Sequence, residues 1–99
     1  GVNVGALHVG LRIRGIRSLK EKRRVMKRII ADIGAAHPVA VAEVDHQDLW
    51  QRADIGIAVV SESPGHVDRM LAAIARDLER RTDVEVLESR RSYLDEEDR

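Results

Sequence analysis

The densest group of side chains that could do chemistry lies between residues 42 and 53. Asp45, His46 and Asp48 stand there beside Trp50, the only tryptophan of the chain. Histidine and carboxylates can bind a divalent metal, and an aspartate can orient a histidine as a general base. These residues lie only one and two positions apart, however, with no second histidine and no serine or cysteine nucleophile motif. The sequence therefore favours no metal, no cofactor and no enzyme activity, and a hydrogen-bonded turn is the plainest interpretation.

Lys22 and Trp50 belong to the same constellation, whose role the sequence leaves open. Lys22 falls within the apolar stripe of a predicted helix, so its ammonium group needs a partner, and we expect an ion pair with Asp45 or Asp48. Trp50 either covers one end of the core or stacks on a base. The full constellation is Lys22, Asp45, His46, Asp48, Trp50, Gln51 and Arg52.

A second candidate site is basic. Between residues 12 and 28 the chain carries many lysines and arginines against a single acid, Glu21. Contacts from such side chains to phosphates release counterions and give a salt-sensitive affinity for nucleic acid. The alternative interpretation is a charged helix face that is simply solvated. The residues that we predict to contact nucleic acid are Arg12, Arg14, Arg17, Lys20, Arg23, Arg24 and Lys27.

Length and composition limit the possibilities further. The 99 residues predict one domain, residues 1–94, and a charged tail, residues 95–99. Seventeen basic and seventeen acidic side chains cancel, so net charge favours no class of partner. The absence of cysteine excludes disulfides and thiol nucleophiles and suits a cytoplasmic protein. No apolar run approaches the roughly 20 residues of a membrane span, so we expect no membrane partner.

Hydrophobic periodicity predicts the elements that must position these residues. Apolar residues alternate along residues 2–14, and Ser18 with Glu21 forms a capping box at the start of a helix. The order strand, helix, strand, strand, helix, strand predicts a ferredoxin-like α+β sandwich, in which two helices cover one face of a four-stranded antiparallel sheet. The remaining predicted strands are residues 39–44, 53–60 and 84–91, and the helices are residues 19–36 and 64–81.

This topology has two consequences for function. The exit of the first strand, the start of the first helix and residues 45–52 lie at one end of the sheet, so the basic cluster meets the constellation there. The sheet face away from the helices is predicted to carry small residues and little charge, namely Ala6, His8, Gly10, Gly56 and Ala58. An exposed face of this kind favours a protein interface, most simply that of a homodimer.

Three motifs of the chain are residues 18–23 (SLKEKR), 41–53 (VAEVDHQDLWQRA) and 56–61 (GIAVVS). Together they resemble the YlxP-like bacterial family, catalogued as domain of unknown function 503. The resemblance spans nearly the whole chain and implies a small ferredoxin-like protein that is often encoded near genes for translation initiation and ribosome maturation. It implies no catalytic residues.

These observations together predict a non-enzymatic, cytoplasmic binding module, expected to be a homodimer. It would contact structured RNA or a ribosomal subunit through the basic helix face, by recognition of phosphates and shape. The alternative is a homodimeric protein–protein adaptor that uses the open sheet face and the Trp50 loop and has no role with nucleic acid.

Overall fold

The computed structural model describes residues 1–95 and contains four strands and two helices. The sheet has the order β2-β3-β1-β4, and every neighbouring pair of strands is antiparallel. This architecture confirms the predicted ferredoxin-like α+β fold. The elements are β1 Asn3–Ile13, α1 Leu19–Ala36, β2 Ala40–Asp45, β3 Arg52–Ser61, α2 Pro64–Arg80 and β4 Val84–Asp95. Of the predicted tail, Asp95 ends β4, and residues 96–99 lie outside the described residues.

Both helices begin where the sequence provides a cap. The Ser18 hydroxyl accepts a hydrogen bond from the Glu21 N–H (3.1 Å), and the Ser63 hydroxyl accepts one from the His66 N–H (3.3 Å) with Pro64 as the first helical residue. Only half of the predicted capping box forms, because the Glu21 carboxylate accepts the N–H of Arg17 instead of that of Ser18. Gly15, at φ +68°, turns the chain between β1 and α1.

The core lies between the sheet and the two helices. Alternate residues of β1 and β3 point into it and meet the apolar stripes of α1 and α2. Among the described residues, two charged side chains are buried: Lys22 of α1 and Asp54 of β3. Burial of a charge is costly unless the group is paired, so these two residues mark the places where the structure must supply partners. No helix of the described chain is long and apolar enough to cross a membrane.

One end of the sheet gathers the chain segments that the sequence analysis placed there. The Ile13 N–H donates a hydrogen bond to the carbonyl of Gln51 (2.9 Å), and the Arg14 N–H donates to the carbonyl of Asp83 (2.9 Å). The end of β1 therefore lies beside both the β2–β3 connection and the turn that follows α2.

The open face is the side of the sheet away from the helices. The prediction that it carries small residues and little charge holds for only one half of it. The register places Ala6 opposite Ala58 and His8 opposite Gly56, and this half carries the predicted small residues. Further along, Gly10 lies opposite Asp54 and Arg12 lies opposite Glu85. The prediction of little charge is therefore wrong for this second half, because the alternation of β1, β3 and β4 also brings charged side chains to the open face.

Candidate functional site

The open face holds a carboxylate between two imidazoles. Asp54 is only 3% exposed. Its Oδ2 lies 2.7 Å from Nε2 of His8, and its Oδ1 lies 2.9 Å from Nδ1 of His46. Burial alone would raise the pKa of Asp54, but the hydrogen bonds from His8 and His46 outweigh it, and the pKa lies below its usual value. Asp54 is therefore a buried, ionised carboxylate whose two oxygens are both engaged.

The hydrogen bonds also define which nitrogen of His8 carries the proton. The Arg90 guanidinium lies 2.8 Å from Nδ1 of His8, and because a guanidinium has only donors, Nδ1 must accept. Nε2 of His8 then carries the proton and donates to Asp54. These contacts link Arg90, His8, Asp54 and His46 into one series, the aspartate–histidine chain, which runs across β4, β1 and β3 to the residue after β2.

His46 is held in place at three points. Its φ of +61° lies in the left-handed region, which a residue with a side chain rarely adopts. The Asp45 carboxylate accepts the His46 N–H (2.8 Å), the Lys22 ammonium donates to the His46 carbonyl (2.6 Å), and Asp54 fixes the ring. The strained backbone thus persists because contacts with α1, β2 and β3 all position the same residue.

Lys22 is fully buried, and its partner differs from the one expected. Its Nζ lies 2.9 Å from Oε2 of Glu43, so the expected pairing with Asp45 or Asp48 is wrong. Glu43 lies opposite the core residue Ile55 and therefore points toward the helices. A register shift between Glu43 and Asp45 follows, and the Asp45 carboxylate bonds to the His46 N–H instead. The register shift in β2, which the sequence does not reveal, therefore leaves Glu43 and not Asp45 as the partner of Lys22.

The basic residues of α1 form a cation groove against the edge strand β2. Lys20, Arg23, Arg24 and Lys27 line it, and Glu43 stands at its wall. The groove encloses about 530 Å³. Within the described part of the chain, none of these four cations lies within ion-pair distance of a carboxylate. The nearby Glu43 is already neutralised by Lys22, so the groove presents positive charge without compensation.

The other predicted nucleic-acid residues lie elsewhere. Arg12 stands on the open face, where its Nε donates to the carboxylate of Glu85 (2.8 Å), and this contact holds the pKa of Glu85 below its usual value. Arg14 and Arg17 are exposed in the segment that connects β1 to α1. The structure therefore brings four of the seven residues into one groove and places Arg12 on the opposite side of the sheet.

The β2–β3 connection is an exposed turn. The Leu49 N–H donates to the His46 carbonyl (3.1 Å), and Asp48 and Gln51 are exposed on either side. Trp50 is 38% exposed beside the half-exposed Leu49, so its ring remains accessible to a partner. Arg52 starts β3 and places its guanidinium 3.8 Å from Oδ1 of Asp54. Of the predicted constellation, His46 and Arg52 therefore meet at Asp54, whereas Asp48 stands apart.

Asp54 and Arg90 were not predicted as site residues from the sequence, and His8 was predicted only as part of a face of small residues. A signal for Asp54 was present: it is a lone carboxylate inside an otherwise apolar strand. A charge in that position is either exposed at an edge or buried with partners. No equivalent signal marks Arg90, since it lies in a strand with charged residues on both sides.

A separate ion-pair network lies at the turn before β4. Arg81 bonds to Asp83 through two nitrogens (2.9 Å each) and to Asp32 of α1 (2.9 Å). The hydrogen bonds from Arg81 lower the pKa of Asp83 against the effect of its burial, and the charge of Arg28 adds to the decrease. This network ties α1 to the turn that follows α2.

The fold and these contacts define a small ferredoxin-like α+β domain. It has the cation groove on one side and the aspartate–histidine chain on the open face. The chain belongs to the family described as "Protein of unknown function (DUF503)", whose model matches residues 4–91. The resemblance read from the sequence motifs is thereby confirmed.

A relative and two solved structures are similar to the chain. "Uncharacterized protein YlxP" of Bacillus subtilis (strain 168) is 42% identical over 57 residues, which cover 58% of this chain and 62% of that protein. The match thus spans less than two thirds of the Bacillus protein. The designed protein Foldit4 is 16% identical with a TM-score of 0.55, covering 93% of this chain and 97% of its own. Protein YJCS is 12% identical with a TM-score of 0.48, covering 93% and 99%. The Foldit4 similarity concerns the fold alone.

Proposed function

We propose that the chain is a cytoplasmic binding module that contacts structured RNA, such as that of a ribosomal subunit, through the cation groove. The observation that carries this proposal is that Lys20, Arg23, Arg24 and Lys27 line one groove without a carboxylate partner in the described chain. A phosphate backbone supplies the missing negative charge at regular spacing, and affinity arises from the counterions released.

The placement of these cations supports the same proposal. Lys20 and Arg24 are four residues apart, as are Arg23 and Lys27, and like charges at this spacing destabilise a helix by a few tenths of a kcal/mol per pair. Lys20 also lies in the first turn of α1, where the positive end of the helix dipole disfavours a cation. An arrangement that costs stability is expected where an external anion offsets the cost. Trp50, exposed at the same end of the sheet as the start of α1, could stack on an unpaired base.

The test measures binding of a structured hairpin RNA and of purified ribosomal subunits across a salt series. If the four groove cations each contact a phosphate, the affinity falls roughly 100-fold between 50 and 200 mM salt. The variant with Arg24→Glu and Lys27→Glu should lose most of this affinity and about two units of the salt slope.

A matched variant controls for net charge. Arg69→Glu with Arg76→Glu makes the same change in charge on the exposed side of α2, and RNA binding should change little. Equal losses in both variants would indicate general charge attraction and not the groove. No binding of RNA or ribosomal subunits at low salt would contradict the proposal.

The apolar half of the open face favours a second candidate function, a homodimeric adaptor. A shallow cavity of about 440 Å³ there has a floor of small residues that includes Ala6, Ala42 and Ala58. Val60 of β3 and Leu94 of β4 are also largely exposed. Apolar patches of this kind mark protein interfaces, and a second copy of the chain is the simplest partner.

Sedimentation and light scattering across protein concentration test this alternative. A dimer that persists at high salt and dissociates on Ala58→Glu would support it, because a charge in the centre of an apolar interface is costly to bury. The control Arg76→Glu should leave the mass unchanged. A monomer at every concentration would contradict it.

A further inference from the structure

We propose that Asp45, His46 and Asp54 bind a divalent first-row transition ion, such as zinc, at the junction of β2 and β3. One donor atom from each residue lies within 4.8 Å of the other two. The sequence predicts no metal, because Asp45, His46 and Asp48 lie only one and two positions apart. The structure instead adds Asp54 from the neighbouring strand, which no local motif could supply. None of the three residues belongs to the cation groove, so this proposal stands independently of RNA binding.

The distances suit a metal with little rearrangement. His46 Nδ1 and Asp54 Oδ1 are 2.9 Å apart. Two ligands that each lie about 2.1 Å from one ion are about 3.0 Å apart at a right angle and about 3.4 Å apart in a tetrahedron, so the two side chains need to separate by about half an ångström at most. Asp45 ends β2 and is exposed, and because its Oδ1 accepts the His46 N–H, its Oδ2 is the oxygen that would close on an ion. Ion binding requires that the proton on Nδ1 of His46 move to Nε2, which leaves the imidazole neutral.

The surrounding contacts hold the ligands in orientation. Arg90 donates to His8, and His8 in turn donates through Nε2 to Oδ2 of Asp54, which leaves Oδ1 directed at His46. Lys22 holds the His46 carbonyl, and this fixes the backbone from which the ring projects. Ligating carboxylates in metal sites are commonly positioned by such outer hydrogen bonds, and loss of one typically costs 10–100-fold in affinity.

The donor set indicates the class of ion. One imidazole and two carboxylates suit zinc, cobalt, manganese or ferrous iron, whereas magnesium prefers oxygen ligands alone. The two carboxylates carry two negative charges, and Arg52, 3.8 Å from Oδ1 of Asp54, offsets part of this charge. A divalent ion therefore meets a site of net negative charge, and water would fill its remaining coordination positions.

The experiment titrates Co²⁺ and Zn²⁺ into the untagged chain, with visible absorption for cobalt and calorimetry for zinc. We expect one ion per chain, d–d bands from bound cobalt, and no competition from millimolar Mg²⁺. Asp54→Asn and His46→Gln should weaken binding at least tenfold. His8→Gln should weaken it less, because His8 acts on the ion only through Asp54.

Matched controls separate this site from adventitious binding. Asp48→Asn and His66→Gln remove the same chemical groups from exposed positions outside the cluster, and the affinity should be unchanged. If Asp54→Asn unfolds, nitrogen NMR of the wild-type histidines provides the readout, with zinc expected to shift Nδ1 of His46 selectively. Absence of one-to-one binding, equal losses in the controls, or an unshifted His46 would overturn the proposal.

Discussion

The cation groove and the aspartate–histidine chain are both rich in charge, but the charges of the groove are unpaired and those of the aspartate–histidine chain are paired. In the groove, four cations stand together without a carboxylate partner in the described chain. On the open face, the Asp54 carboxylate is engaged by two imidazoles, and one of these is held by Arg90. Paired charges are part of the fold, whereas unpaired ones weaken it and are available to an external ligand. The difference predicts opposite responses to mutation in the two regions.

Lys22 gives the largest expected effect, because it is the one cation of the α1 start that is buried and paired. Lys22→Ala leaves Glu43 without its partner and the His46 carbonyl without its donor. We expect a loss of about 3–5 kcal/mol in the free energy of unfolding, measured with urea. Lys20→Ala, two residues earlier in the groove, should change it by less than about 0.5 kcal/mol. Similar losses in the two variants would contradict the distinction between paired and unpaired cations.

Asp54 gives the next largest effect. Asp54→Ala leaves His8 and His46 without the carboxylate that both face, and the free energy of unfolding should fall by about 2–3 kcal/mol. The exposed Asp48 is the matched control, and Asp48→Ala should have little effect. A loss at Asp54 no larger than that at Asp48 would show that the aspartate–histidine chain does not stabilise the fold.

These two residues also show how far the sequence could be interpreted. The burial of Lys22 followed from its position in an apolar helical stripe, and its need for a partner followed from that burial. The identity of the partner did not, because it depends on a register shift in β2 that places Glu43, and not Asp45, toward the helix. Asp54 was missed because its partners come from β1 and from the residue after β2, which only the pairing of strands brings together.

The fold could be predicted from the sequence more completely than the site. Strand alternation and helical periodicity are local properties, and the two caps at Ser18 and Ser63 are local too, so the order of elements and the topology could be predicted. Strand alternation alone places Arg12 and Asp54 on the open face, but it does not give the partners of these charges. Arg12 and Glu85 are far apart in sequence and meet only through the register of β1 and β4.

The ion-pair network at Arg81 makes the stabilising effect of paired charges depend on pH. The pKa of Asp83 is lowered by Arg81, so its contribution to stability is complete above its ordinary value near 4 and is lost as the pH falls through the lower, folded value. The free energy of unfolding of the wild type should exceed that of Asp83→Asn at pH 6–7. This difference should shrink below about pH 4. The effect is smaller than at Asp54, because the Asp83 side chain is 29% exposed and solvent weakens the pair. A difference that is constant from pH 7 to pH 2 would contradict it.

The smallest effect has the opposite sign and is the sharpest test of the contrast. Arg24→Gln removes a repulsive neighbour of Lys20 and Lys27 while it keeps a good helix former, and the free energy of unfolding should rise by a few tenths of a kcal/mol. The gain should disappear at high salt, which already screens the repulsion. The same variant should weaken RNA binding. It therefore tests whether the repulsion that lowers the stability of the groove also provides its affinity for RNA. A variant that is less stable than the wild type would mean that Arg24 stabilises the fold. This result would contradict the argument that the groove cations are unpaired because they bind an external anion.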